Sequence, residues 1–369
     1  MVTTDLDRVV RRVSKPARYS GGEWNCVVKD WGRTPLRFAL AYPDVYDIGM
    51  SNLGLAILYD ILNGQADVLC ERVYAPWTDM EQAMRQEGVP LFSLETRHPV
   101  AEFDVIGFSL GCELTYTNLV NMLDLAGLPL LAAERKQALP LVIAGGSGAL
   151  NPEPLADFVD AFALGDGEEL VLDIVGCLRR FKEKGRRSKR ELLRELARIE
   201  GIYVPRFYDV SYQADSSIAE IKPIEAAAPA RPRKRFVQKL PPPLTRPIVP
   251  FVQAVHDRVG IEIQRGCTQG CRFCQAGMIY RPRLERPVEE VVAAARELLA
   301  NTGYRELSLL SLSTTDHSQI VPMVLALKRE LGDGIVISLP SLRVDSFSVE
   351  MAEAAAGPGK HTITFAPEA

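Results

Sequence analysis

Seven cysteines are spread unevenly along 369 residues. Cys26, Cys70, Cys112 and Cys177 stand apart, and as small apolar side chains they suit a packed interior. Cys267, Cys271 and Cys274 crowd into one run, Cys267-Thr-Gln-Gly-Cys271-Arg-Phe-Cys274. Three thiolates at the spacing C-x3-C-x2-C can face one centre, and Gly266 and Gly270 let the backbone between them curl. A structural zinc site takes four protein ligands, and an ordinary ferredoxin cluster takes four cysteines. No fourth cysteine follows, so three thiolates leave one metal position open for an outside ligand. The bland alternative is a Cys3His zinc knuckle completed by His256 or His317.

The elements that must position this loop are legible as alternating patterns. The second part of the chain reads as strand Gly260–Arg265, helix Val288–Ala300, strand Glu306–Leu312, helix Gln319–Leu331, strand Ile335–Leu339, helix Val349–Ala355 and strand His361–Phe365. The cysteine run follows directly on the first of these strands. Earlier in the chain, short apolar runs at Arg37–Ala41, Asp67–Arg72, Leu91–Ser93, Val105–Ser109, Leu141–Ala144 and Ala161–Leu164 read as strands. Between them Leu53–Asn63, Trp77–Glu87, Leu114–Ala126 and Glu169–Phe181 carry apolar residues near a 3.6 period and read as helices. That alternation predicts an α/β doubly wound domain, whose ligands sit beyond the carboxyl ends of its strands. The loops there are Pro43–Gly54, Gly145–Pro154 and Gly165–Glu169. Gly145-Gly146-Ser147-Gly148 lacks the G-x-G-x-x-G spacing of a phosphate cradle and reads as a turn, while Asp166, Glu168 and Glu169 oppose a phosphate and suit a hydroxyl, an amine or a helix N-terminus.

Four segments follow: an extension over 1–35, the doubly wound domain over 36–200, a proline-rich linker over 201–252 with one hairpin around Tyr203–Ile221, and a second α/β domain over 253–369. The 43 basic and 47 acidic residues give a net charge of −4, which excludes a polycation built to coat nucleic acid. Arg179–Glu200 is locally basic, but with only Phe181 among the charges it reads as a solvated face. No apolar run is long enough to span a membrane and no export signal precedes the first domain, so a cytoplasmic, reducing setting is expected.

The cysteine run, with an aromatic residue just before its last member and a strand just before its first, resembles the radical S-adenosylmethionine (SAM) superfamily. The flanks His256-Asp-Arg-Val-Gly-Ile-Glu-Ile-Gln-Arg-Gly-Cys267 and Gln275-Ala-Gly-Met-Ile-Tyr-Arg-Pro-Arg-Leu-Glu-Arg286 are similar to members that carry an N-terminal cobalamin-binding-like domain. So are Tyr42-Pro-Asp-Val-Tyr-Asp-Ile-Gly-Met-Ser-Asn-Leu-Gly54, Val142-Ile-Ala-Gly-Gly146 and Asp160-Ala-Phe-Ala-Leu-Gly-Asp-Gly-Glu-Glu169. The resemblance implies a Rossmann or flavodoxin-like cobalamin-binding-like domain followed by a partial radical SAM (β/α) barrel. It implies a 4Fe–4S cluster held by Cys267, Cys271 and Cys274. SAM would chelate the open iron through its amine and carboxylate and be cleaved reductively to a 5′-deoxyadenosyl radical.

By the same resemblance Phe273 lies near the adenine. Ser311 and Ser313, in Ser311-Leu-Ser-Thr-Thr315 where relatives carry Gly-Gly-Glu, face the cofactor's amine; Ser341 and Arg343 reach its carboxylate and ribose; Glu368 serves cofactor or substrate. A strand-end salt bridge to Asp345 accounts for Arg343 equally well. Arg281, Arg283 and Arg286 read either as an anion clamp or as a solvated turn. Cobalamin is an open expectation, because the Asp-x-His-x-x-Gly sequence is absent and His98 lies in Thr96-Arg97-His98-Pro99; a corrin would lie across the strand ends near Asn52, Gly145 and Gly165. The expected partners are a reductant protein such as a flavodoxin or ferredoxin and a substrate, with RNA one candidate, modified by methylation, methylthiolation or rearrangement. The competing reading is a non-catalytic iron-sulfur module. The chain is further expected to be an incomplete piece of a longer protein, with the last strand left at an open sheet edge.

Overall fold

The computed structural model describes residues 2–185, 188–345, 348, 349, 351, 353, 365 and 366, and the chain divides into two compact units, Met1–Val237 and Gln238–Ala369. In the first unit β1 (Leu36–Tyr42), β2 (Val68–Tyr74), β3 (Val105–Ser109), β4 (Leu141–Gly145), β5 (Ala161–Ala163) and β6 (Ile202–Tyr203) form one sheet. Its order is β2-β1-β3-β4-β5-β6. All neighbours are parallel except β6, which joins β5 antiparallel. The strands are almost wholly buried, as expected where helices cover both faces of a parallel sheet. The order of the first five strands is flavodoxin-like, with the winding reversing between β1 and β3, so the ligand crevice of this unit lies past those two strand ends.

The helices of this unit are α1 (Val2–Val10), α2 (Tyr46–Gly49), α3 (Leu53–Asn63), α4 (Thr78–Glu87), α5 (Tyr116–Leu125), α6 (Gly167–Glu183) and α7 (Lys189–Ala197). Local chemistry sets their ends: Asn52 caps α3 by accepting from the Leu55 N–H, and Ser188 and Glu191 form a reciprocal capping box on α7. Chain outside the sheet belongs to the same unit. Leu6 and Val9 of α1 are fully buried. The hairpin of β7 (Tyr208–Tyr212) and β8 (Ile218–Pro223) follows β6, and Arg235 bridges to Gly165.

Leu91–Ser93 is not a strand. Its residues are buried, but their backbone groups are satisfied one at a time, by Leu125 O for Leu91 N and His98 O for Ser93 N, leaving only an isolated bridge between Phe92 and Pro99. A short apolar run thus reports burial without reporting a ladder. Close by, Arg72 lies inside β2, buried with Glu23 at 2.8 Å and Glu95 at 2.6 Å. Burial alone would raise both carboxyls, and it does raise Glu95; around Glu23 the Arg72 guanidinium and the Tyr46 hydroxyl outweigh it and the carboxyl is lowered.

The second unit has β9 (Val259–Glu262), β10 (Gln264–Arg265), β11 (Leu284–Glu285), β12 (Glu306–Leu310), β13 (Val336–Ser338), β14 (Leu342–Arg343) and β15 (Phe365–Ala366), with α8 (Ala276–Ile279), α9 (Val288–Thr302) and α10 (Ile320–Leu331). Parallel strands run β13-β12-β9, and β14 pairs parallel with β15. Apart from the β10–β11 pair, the parallel strands β9, β12 and β13 lie side by side in chain order, which is the progression of a βα barrel rather than a doubly wound sheet. Val291, Ala295 and Leu298 of α9 and Met323, Val324 and Leu327 of α10 close the core over Ile261, Leu307 and Leu309.

The strand read as Gly260–Arg265 is two: β9 stays in the parallel sheet, whereas β10 turns away to pair antiparallel with β11. Most of the helix read at Val349–Ala355 and of the strand read at His361–Phe365 lies outside the described residues, as does Glu368.

Candidate functional site

The cysteine run occupies the loop from β10 to α8, past the carboxyl end of β9 and pinned at its base by the β10–β11 pair. Gly266 opens it at φ +80°, and a Cβ there would stand 2.4 Å from the Tyr280 carbonyl oxygen and 2.7 Å from that of Pro282. Only glycine lets the start of the loop pass its end so closely. Cys267, Cys271 and Cys274 are free thiols, each half-buried. The Cys274 N–H donates to Cys271 O at 3.0 Å, and Gly277 N–H donates to Cys274 Sγ at 3.4 Å. Among the described residues no group of three or more His, Cys, Asp or Glu side chains is placed to hold a metal ion, so the three thiols share one loop without being drawn onto one centre. His317 is not free to complete a zinc knuckle. It is buried with Nδ1 accepting from the Gln319 N–H at 3.1 Å and Nε2 at 3.2 Å from Arg286 O, so both ring nitrogens are engaged.

The loop is held against the end of β12. Gln269 Nε2 donates to Asp316 Oδ2 at 2.8 Å and Arg283 Nη1 donates to Asp316 O at 3.1 Å. Ser311 Oγ lies 2.9 Å from Thr314 Oγ1, which in turn bonds Pro340 O, and Thr314 N–H donates to Ser341 O at 3.1 Å. The ends of β12 and β13 are thereby sewn together through Thr314. Ser341 sits at φ +56°, an uncommon conformation for a residue with a Cβ. Ser313 Oγ is buried and has no hydrogen-bond partner among the described residues, which leaves a donor and an acceptor at the strand end for a polar ligand group.

Arg343 is buried and holds Asp345 through two contacts, Nη2 to Oδ2 at 2.7 Å and Nε to Oδ1 at 3.1 Å. Its Nη1 donates to Cys271 Sγ at 3.6 Å. The Asp345 hydrogen bonds raise its already high pKa. Phe273 is 70% exposed on the loop. The three arginines do not form one clamp: Arg286 is buried on Glu262 O and Glu290, Arg283 is engaged by Asp316 and Glu285, and Arg281 donates to Gly277 O. Sequence reasoning gave no role to Asp316 or Gln269 and did not single out Thr314; the signals were the place of Gln269 inside the cysteine run and of Thr314 and Asp316 in or next to the Ser311–Thr315 run.

In the first unit the crevice past β1 and β3 holds Asn52 and the exposed Cys112. Gly146, at φ +93°, packs where a Cβ would meet Leu110 O at 2.5 Å, and Gly148 N–H is spent on Leu110 O, so this loop is a packed turn. At Gly165 the chain's own Arg235 backbone fills the strand end, 2.0 Å from where a Cβ would stand. One of the three strand ends expected to carry a corrin is therefore covered.

Comparison with known proteins agrees with both units. The family described as radical SAM proteins, N-terminal, matches residues 54–205, and the radical SAM superfamily matches residues 261–369. An uncharacterized protein of Methanocaldococcus jannaschii is 25% identical over 336 residues, 90% of this chain and 60% of that protein. The ribosomal protein uS12 methylthiotransferase RimO of Prochlorococcus marinus is 24% identical over 179 residues, 48% of this chain and 35% of that enzyme. RimO of a Synechococcus strain is 33% identical over 87 residues, 23% of this chain and 18% of its own length. The chain thus spans 60% or less of the length of each of these relatives.

Proposed function

From the premise that the chain belongs to the radical SAM superfamily, we propose that it is an enzyme that holds a 4Fe–4S cluster on Cys267, Cys271 and Cys274 and cleaves SAM reductively. The observation that carries this is the donor set: three free, half-buried thiols on one glycine-hinged loop beyond a parallel strand, inside the matched region. Soft thiolates suit iron-sulfur ligation. Three of them leave one iron without a cysteine from this run, and His317, with both ring nitrogens engaged, is not free to fill it. Held on Cys267, Cys271 and Cys274, the cluster would supply the single electron, drawn from an external flavodoxin- or ferredoxin-like reductant, for reductive cleavage of SAM to methionine and a 5′-deoxyadenosyl radical able to abstract hydrogen from a substrate.

The chain's own residues then bind and orient. Ser313, with its buried unsatisfied hydroxyl, and Ser311 are suited to the cofactor's amine, the exposed ring of Phe273 to its adenine, and Ser341 with Arg343 to its polar end. The likeness to the uS12 methylthiotransferases favours methylthiolation over methylation or rearrangement, with a protein target. RNA gains little from the basic segment, because Arg179, Lys182, Lys189, Arg190 and Arg194 all pair with carboxylates of their own unit.

Anaerobic reconstitution with iron and sulfide, followed by dithionite and SAM, tests the reading through release of 5′-deoxyadenosine. Release is expected. An intact cluster that yields none would favour the non-catalytic iron-sulfur module instead.

A further inference from the structure

Arg343 does more in this structure than bridge a strand end. A guanidinium offers five N–H donors in a rigid planar fork. Two of its nitrogens, Nε and Nη2, are taken by the two oxygens of Asp345 at 3.1 and 2.7 Å. That bidentate hold fixes the plane, and the remaining edge, Nη1, meets Cys271 Sγ at 3.6 Å across 72 residues of sequence. The two charges are screened unequally. The Arg343 side chain is 11% exposed and that of Asp345 63%, so water damps the carboxylate far more than the guanidinium. The sulfur therefore sees a net positive neighbour, and an arginine does not lose its proton at any working pH.

We propose that Arg343 is a positioning residue that donates a permanent N–H···S hydrogen bond to the cluster-bound sulfur of Cys271, with Asp345 aiming it, and so raises the reduction potential of the cluster. The proposal rests on the reading of Cys271 as a cluster ligand. Its physical basis is that reduction adds negative charge, which a fixed donor and a poorly screened cation stabilise in the reduced state more than in the oxidised one. It also defines what Arg343 leaves for SAM: with one N–H each of Nε, Nη1 and Nη2 directed, the second protons of Nη1 and Nη2 remain for the cofactor's polar end.

The test is an EPR-monitored redox titration of the reconstituted full chain, without SAM, for the wild type, R343K and R343Q. Lysine keeps the charge but cannot hold Asp345 on two nitrogens while reaching the sulfur; glutamine removes the charge. The midpoint is expected to fall in the order wild type, R343K, R343Q. The reduced-to-oxidised ratio at fixed potential should drop about tenfold in R343Q, equivalent to about 59 mV for a one-electron couple. Equal midpoints in all three proteins, at equal iron content, would overturn the role of Arg343 and leave the cluster assignment standing. A wild type that takes up no four-iron cluster would overturn both. Should R343Q fail to load, R343K alone decides, because a purely structural arginine predicts an unshifted midpoint in every variant that retains the cluster.

Discussion

Replacing Gly266 by alanine should open the cysteine loop, and the size of the effect can be worked from its surroundings. The residue sits at φ +80°, where a Cβ costs roughly 1–2 kcal/mol. That Cβ would also lie 2.4 Å from Tyr280 O, 2.7 Å from Pro282 O and 3.1 Å from Arg283 Cα. All three are backbone atoms, so no side chain can swing aside, and forcing them apart costs about 1–3 kcal/mol more. The sum is about 2–5 kcal/mol, and its lower end corresponds to roughly thirtyfold more frequent opening of the loop. Gly270 is the internal control. Its φ is +69°, but the nearest atom to its Cβ is Arg281 Nη2 at 3.9 Å, so G270A carries only the conformational part. Hydrogen exchange read by mass spectrometry over residues 259–285, with iron content after anaerobic reconstitution, measures both variants. G266A should exchange about thirtyfold faster there and hold little iron, with G270A between it and the wild type. Wild-type exchange and iron in G266A would refute the claim that close passage at this glycine shapes the loop.

Other outcomes follow from the same structure. Each of C267A, C271A and C274A should lose cluster colour and bound iron; a triple variant with wild-type iron would remove the ligand assignment. R72M leaves Glu23 and Glu95 buried without their cation and should cost about 3–5 kcal/mol in urea unfolding followed by tryptophan fluorescence, since all three tryptophans lie in the first unit. A loss under about 1 kcal/mol would contradict it. His317, whose pKa burial lowers from 6.5, binds its proton more readily unfolded than folded. Its contribution to the second unit is therefore complete above 6.5 and lost as pH falls from there through its lower native value. H317N should flatten that acid limb in unfolding curves taken between about pH 8 and pH 5, and an unchanged limb would show that other groups set it.

How much of this was legible in the sequence differs between fold and site. The βα alternation was legible because buried parallel strands are continuous apolar runs and the helices between them keep a 3.6 period, as Leu53–Asn63 does residue for residue in α3. It failed where periodicity carries no information about partners. Leu91–Ser93 is as apolar as a strand and as buried as one, but its hydrogen bonds go to Leu125 and His98 rather than to a ladder. Gln264–Arg265 continues β9 in pattern, while the short β11 draws it out of the sheet, a choice made by residues some twenty positions away.

The cysteines were legible because their spacing is local, and local spacing survives in one dimension. What surrounds them is not local. Asp316 reaches Gln269 across 47 residues and Arg343 reaches Cys271 across 72, and neither separation has a period that a sequence can display. In Leu339-Pro-Ser-Leu-Arg-Val-Asp345 the salt bridge from Arg343 to Asp345 and a functional role for the arginine stood as rivals. The structure makes them parts of one arrangement, because the pair to Asp345 is what leaves Nη1 facing a sulfur. Two readings that compete for the same residue exclude each other only if its donors run out, and a guanidinium has five.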